Sequence, residues 1–428
     1  MPRKTAATSA SLPVPSDYIL ARDYCSYGYF LLAPNHWDPV TSSMRRTLEL
    51  DGGAVTLRTT QPPHPPTLLP RLTSLPIPPS ARQKSEARAS KSRKSSESVP
   101  ATNYSAAPAG STVPGSPLRI EADRALSTEE WGQATRLISR MLRLDEDAAL
   151  VRSFHALDPR WKRSRAATFH PGRSASGPGR GRLMRSPTLF EDVIKTVTSC
   201  NVTWPSTITM NRRLCEVLGE VSPSGAHAFP SARKLARTRA ASLRARCSVG
   251  YRDARIVELA RLFTLAPAHG GIDVEWYENP RTSDQDVFDA LLKLPGIGPY
   301  AAANVMQLLG RYARLPLDTE SVRHGKSILG MTGSDREIMK RLTAHFAPFG
   351  PHAFRSYWFE LWAFYESRHG PAWTWERETT GKAFTAALLK DAAGAKPEGP
   401  KPSGAEAGVA KPKRGKTPAG RPPAGASF

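Results

Sequence analysis

The run Leu294-Pro-Gly-Ile-Gly-Pro-Tyr-Ala301 sets two glycines between two stretches of helical apolar periodicity, and an acidic residue, Asp318, follows about twenty positions later in Leu315-Pro-Leu-Asp-Thr-Glu320. Asp286-Val-Phe-Asp-Ala-Leu-Leu-Lys-Leu294 keeps its apolar residues on one stripe, which predicts a helix that Pro295 stops. Gly296 and Gly298 permit backbone conformations and close approach that a side chain blocks. Pro299 suits the first turn of a following helix, small Ala301, Ala302 and Ala303 let the two helices cross closely, and Gly310 caps the end. The backbone at Leu294, Gly296, Gly298, Tyr300 and Ala301 then offers N–H groups beside a helix N-terminus, a grip for a phosphate oxygen that reads no base. Asp318 opens the next predicted helix, 319–329, where a carboxylate can cap the helix or face a developing positive charge.

The elements that must hold these groups give an α+β organisation: an N-terminal antiparallel sheet followed by a mainly helical core. Strand-like runs occur at Tyr27–Leu32, Arg46–Leu50 and Ala54–Arg58, with Asp51-Gly52-Gly53 as a hairpin turn, and 117–122 reads as a strand rejoining the sheet. Residues 1–16 read as a loose leader, 17–126 as the sheet domain, and 61–116 within it as a disordered basic insertion. Helical runs dominate a core at 127–380: one after the Ser127 cap, one from Pro187, then about 206–218, 231–246, 251–263, 284–294, 299–309, 335–346 and 351–368. Basic, Gly-rich 159–186 reads as a surface loop, and 394–428 as a disordered basic tail.

The 428 residues carry 60 Lys and Arg against 38 Asp and Glu, a formal charge of +22 that points to a polyanionic partner. No apolar run is long enough to span a membrane, and the start lacks the apolar core of a secretory signal. The expected location is cytoplasmic and nucleoid-associated, or nuclear. Cys25, Cys200, Cys215 and Cys247 are too scattered for a zinc knuckle or iron–sulfur loop, and the histidines show no paired ligand spacing. No metal and no cofactor is expected.

The hairpin followed by Pro316-Leu-Asp318 resembles the HhH-GPD superfamily of DNA glycosylases over about residues 187–368, and the N-terminal sheet is similar to that of the 3-methyladenine and 8-oxoguanine glycosylases. The resemblance implies that Asp318 is the catalytic aspartate. Cleaving a base–sugar bond builds positive charge on the sugar, and a fixed carboxylate in a site with little water stabilises it. Bifunctional members carry a lysine two positions after the second hairpin glycine, where it forms a Schiff base. Tyr300 stands there, which implies a monofunctional hydrolase leaving an abasic site; Lys293 and Lys195 are the nearby lysines that could substitute. The cysteines of the iron–sulfur branches are absent.

Two further motifs match the 8-oxoguanine branch. Thr198-Ser-Cys-Asn201 implies that Asn201 fills the gap left by a flipped base, and Gly250-Tyr-Arg252 implies that Tyr251 intercalates while Arg252 contacts the orphaned base. Read from the residues alone, Asn201 is equally a helix cap and Tyr251 an N-terminal turn. For the base pocket the resemblance implies Tyr300, Asn304, Tyr357, Trp358 and Leu361. An aromatic cleft favours cationic alkylated purines; Glu360 could instead read the edge of a neutral base. The expected partner is double-stranded DNA with a damaged base, with no membrane, and the expected state is a monomer. The alternatives are a bifunctional glycosylase/lyase for oxidised bases and a non-catalytic hairpin protein that only grips DNA.

Overall fold

Leu50 pairs with Gly53 across Asp51-Gly52, and Gly53 leaves the turn at a positive φ of +103°, a conformation glycine takes without a side-chain clash. This hairpin joins β3 (Ser43–Leu50) to β4 (Gly53–Thr60), the centre of a five-stranded antiparallel sheet whose outer members are β1 (Ala7–Leu12), β2 (Asn35–Asp38) and β5 (Leu118–Leu126), in the order β1-β5-β4-β3-β2. The chain is seen in a computed structural model that describes residues 7–62, 115–164 and 177–377. Most of the expected basic insertion and all of the expected tail lie outside the described residues.

Helix α1 (Leu20–Tyr24) precedes β2. After the sheet come α2 (Thr128–Met141) and α3 (Ala148–Leu157), then a two-stranded ribbon of β6 (Arg163–Ser164) and β7 (Gly177–Pro178). Helices α4 (Leu189–Ser199), α5 (Trp204–Leu218), α6 (Ala232–Ala236), α7 (Ala240–Cys247) and α8 (Asp253–Leu262) follow. The remainder is α9 (Val274–Glu278), α10 (Asp284–Leu292), α11 (Pro299–Leu308), α12 (Thr319–Ser327), α13 (Asp335–Phe346) and α14 (Ala353–His369). Ser127 opens α2 with a reciprocal capping box to Glu130, the start that the sequence pattern announces.

Two apolar cores form. One joins the sheet to α13 and α14 through residues such as Met44, Leu57, Phe354 and Trp362. The other gathers α4, α5, α7, α8 and α10 around Val193, Leu214, Ile256 and Leu291. Helix α11 belongs to both: Ala301, Ala302, Val305 and Met306 pack in the second core and Leu308 in the first. The hairpin therefore sits on the seam between the two lobes. Buried ion pairs cross the seam as well, with Arg46 of β3 on Glu191 of α4 and Arg140 of α2 on Asp192.

Several expectations change. Ala7–Leu12, read as loose leader, is an edge strand; its polar sequence has little signal of its own, and pairing with β5 supplies the order. Tyr27–Leu32, read as a strand, holds a 3-10 turn at Gly28–Leu31 with every residue buried, so there is no alternation of faces. The 231–246 run divides into α6 and α7, short β2 and α9 carry too few residues for periodicity to reveal, and Ala148–Leu157 adds a helix, α3, beyond those expected. The stretch 179–186, read as part of a surface loop, is threaded through the interior: Leu183 and Met184 are fully buried. Its arginines are accepted there because each finds a counter-group, Arg180 on Glu366, Arg182 on Asp17 and Arg185 on Asp145.

Candidate active site and nucleic-acid interface

Gly296 takes φ +77°, the left-handed conformation that lets the chain reverse between α10 and α11. Gly298 is the N-cap of α11 with no side-chain cap bond, and Pro299 fills the first helical position. The N–H groups of Tyr300 and Ala301 thus start the helix without an intrahelical acceptor, beside the exposed backbone of Gly296 and Gly298. Leu294 is half-buried and anchors the turn against the second core. At the other end of α11, Arg143 donates to the Gln307 and Leu308 carbonyls at 2.7 Å each, and Arg185 to Leu308 at 3.2 Å. Two buried guanidiniums therefore close the C-terminus of the helix whose N-terminus stays open.

Asp318 is the N-cap of α12. Its Oδ1 accepts from the Ser321 N–H at 3.0 Å and from the Ser321 hydroxyl at 3.2 Å. The Tyr300 hydroxyl lies near enough to stabilise the carboxylate's charge. Burial pushes the Asp318 carboxyl above its ordinary 3.8, against the opposing pull of these hydrogen bonds and of Arg323. Burial, and then the charge of Asp318, push the Tyr300 phenol well above its usual range, so it remains a donor. Capping does not use up the carboxylate: the residue is half-buried and only one oxygen serves the helix.

An aromatic wall flanks this carboxylate. Tyr27, contributed by the segment before the 3-10 turn, lies 4.7 Å from the Trp358 ring and donates to Asn304 Oδ1 at 3.3 Å. Asn304 in turn donates to the Tyr300 carbonyl at 3.3 Å. Trp358 is held by its Nε1 donating to the Ser26 carbonyl at 2.8 Å. Tyr357 is buried, and its hydroxyl meets Ser321 Oγ at 3.0 Å, so it reaches Asp318 through that serine. Of the five expected pocket residues, Tyr300 and Trp358 keep an open face, Asn304 and Tyr357 contribute polar atoms at the margin, and Leu361 is enclosed in the first core and offers no face to a cleft. Glu360 does not read a base edge: it is occupied by Arg160 at 2.5 Å and His324 at 2.7 Å. Tyr27 escaped the sequence reading because Tyr-Gly-Tyr-Phe mimics a strand; its signal was three aromatics in four residues around a glycine.

Asn201 lies just past the end of α4 with φ +52°, exposed, which suits both a helix-end residue and a gap filler. Tyr251 is 53% exposed on the turn before α8. Arg252, by contrast, is only 4% exposed. Its guanidinium donates to the carbonyls of Val197 and Val249, at 3.1 and 3.4 Å, and of Cys200. It locks the end of α4 under the Tyr251 turn, so its donors are engaged by these carbonyls rather than held out for an orphaned base. Lys195 is likewise sealed, fully buried against Glu191 at 2.7 Å, and burial draws its ammonium below the ordinary 10.5. Lys293 is exposed at the C-cap of α10. Cys200 is half-buried near Asp318, its thiol raised to about 11 by burial.

No protein-family model and no curated protein matches the sequence. Solved structures do. The 3-methyladenine DNA glycosylase of Archaeoglobus fulgidus aligns over 83% of this chain and 97% of its own, at 17% identity and a TM-score of 0.50. The 8-oxoguanine glycosylase/lyase of Clostridium acetobutylicum aligns over 83% and 98%, at 15% identity and a TM-score of 0.50. The same enzyme bound to double-stranded DNA with cytosine opposite 8-oxoguanine gives 85%, 98%, 15% and 0.50. The architecture is thus a sheet joined to a two-lobed helical hairpin body. The chain carries the helix-hairpin-helix DNA glycosylase fold.

Proposed function

We propose that the protein is a monofunctional DNA glycosylase of base excision repair, which hydrolyses the N-glycosidic bond of a damaged base flipped out of duplex DNA and leaves an abasic site. One observation carries this reading: Asp318 caps α12 with its carboxylate close enough to Tyr300, in the first turn of the helix whose open N-terminus follows the glycine turn, for the phenol to act on its charge. A phosphate held at Gly296–Ala301 brings its deoxyribose toward that carboxylate, and the negative charge then stabilises the sugar as the base departs. Ser321 fixes the carboxylate, and Tyr300, being a phenol, forms no Schiff base.

Tyr300 and Trp358, backed by the buried Tyr27, favour a planar, electron-poor base, and alkylated purines carry the positive charge that ring faces attract. With Glu360 engaged elsewhere, the case for a neutral oxidised base weakens. Asn201 and Tyr251 are the groups available to fill the gap in the duplex. Incubation with a panel of duplexes, each holding one lesion, tests this. The expected result is release of an alkylated purine, strand breaks only after alkali, and no borohydride-trapped adduct. Breaks without alkali, or a trapped adduct, reject the monofunctional reading; no release from any duplex leaves a hairpin protein that only grips DNA.

A further inference from the structure

The turn that carries Tyr251 is ringed by arginines that the reading above does not use. Arg213 of α5 donates to the Ser248 hydroxyl. Arg246, exposed near the end of α7, and Arg213 both bear on the Cys247 thiol, whose pKa burial raises and their charge lowers. Arg255, exposed on the first turn of α8, lies 5.4 Å from the Tyr251 ring centroid. Arg255 also reaches the hairpin: a Cβ added to Gly296 would lie 2.7 Å from its Cδ. Arg244 pairs with Asp253 at 2.9 Å, but among the described residues no carboxylate pairs with Arg213, Arg246 or Arg255.

The backbone beneath them has the same polarity. Ser248 is left-handed at φ 58°, Val249 right-handed at φ −75°, and Gly250 positive again at φ 59°. Alternating hands turn successive N–H groups to one side, a concavity that accepts anions. Cations this crowded repel one another, and unpaired they raise the free energy of the uncomplexed protein. An anionic partner relieves that cost.

We infer that Arg213, Arg246 and Arg255 form a collar around Tyr251 that binds phosphates of duplex DNA separate from the phosphate gripped by the hairpin. The inference extends the proposed DNA-binding reading but does not depend on base release. Arg255, which borders both Tyr251 and Gly296, joins the two phosphate sites into one track. The arginine available beside Tyr251 is therefore Arg255, three residues on from the sealed Arg252.

The test uses the full chain, an undamaged duplex and the slope of log affinity against log salt. Each phosphate contact contributes about 0.9 to that slope, so R213Q/R246Q/R255Q should flatten it by about 2.7, and between 50 and 200 mM salt the wild type should lose about 40-fold more affinity than the variant. R255Q alone should flatten it by about 0.9. The control is R336Q/K340Q/R341Q, which removes three exposed cations from α13. A control that flattens the slope equally makes this an effect of net charge and overturns the collar, as does an unchanged slope in the first triple. Lost binding to phosphatidylserine vesicles with an unchanged duplex slope would assign the arginines to a membrane and also overturn it. If no lesion is ever released yet the first triple alone flattens the slope, the glycosylase reading fails and the collar stands.

Discussion

Asp318→Asn separates the two things one carboxylate does. The amide keeps an oxygen for the Ser321 N–H, now 3.0 Å from Oδ1, and asparagine caps helices about as well as aspartate. What disappears is one negative charge. A unit charge about 4 Å from a developing cation is worth about 4 kcal/mol at an effective dielectric of about 20, or a rate loss of about 10³-fold. The assay is single-turnover base release with enzyme in excess, beside duplex binding and a melting curve. Release should fall by about three orders of magnitude while the fold persists. The melting curve adds a sign. Burial raises the folded-state pKa of Asp318 above 3.8, so its contribution to stability is complete below the unfolded value and is lost as pH rises through the folded one. At neutral pH the amide should therefore melt at or above the wild-type temperature, with the advantage shrinking as pH falls toward 3.8. Release at the wild-type rate would reduce Asp318 to a helix cap and refute the mechanism. A large drop in melting temperature would refute the account of its burial.

Tyr300→Phe removes a hydroxyl that lowers the Asp318 pKa, so the acid limb of the pH–rate profile should move upward; an unmoved limb would show that the phenol does not act on that carboxylate. Tyr251→Ala, at a 53% exposed position, should leave the melting temperature nearly unchanged yet slow base release from duplex more than from single-stranded substrate. Arg252→Met should do the reverse: three carbonyls lose their donors, and the loss of about 2–3 kcal/mol should appear in denaturant unfolding, with wild-type stability counting against its role as an internal lock. Glu191→Gln leaves Arg46 and Lys195 buried without a full counter-charge and should cost about 3–5 kcal/mol by the same measurement.

The hairpin was legible because its chemistry is local: a proline stop, two glycines, a proline start and an alanine run lie within ten residues. Helix α12 and its capping aspartate were legible for the same reason. What escaped depends on partners remote in sequence. Arg252 looks like a DNA-reading arginine until the carbonyls of α4 are brought beneath it. The basic stretch 179–186 looks solvated until Asp17, Asp145 and Glu366 arrive from three other elements. Tyr27 lies 277 positions from the asparagine it bonds, and only the closure of sheet on helices joins them. Edge strand β1 has no apolar alternation, so its order is a property of β5.

Gln61 stands where the sheet hands the chain to the segment 63–114. It is 8% exposed, accepts from the Leu20 N–H at 2.7 Å, and donates to the Tyr18 carbonyl at 3.2 Å and the Ser116 carbonyl at 2.9 Å. Gly115 returns to the same place, its N–H on the Tyr18 carbonyl at 3.1 Å. Departure and re-entry share one knot, so the two ends are held together by the sheet itself, and a change of loop length between them costs only about 0.6 kcal/mol per doubling. A shortened gene joining Pro62 to Gly115 through a few glycines should yield the same sheet, with the helical lobes melting as before.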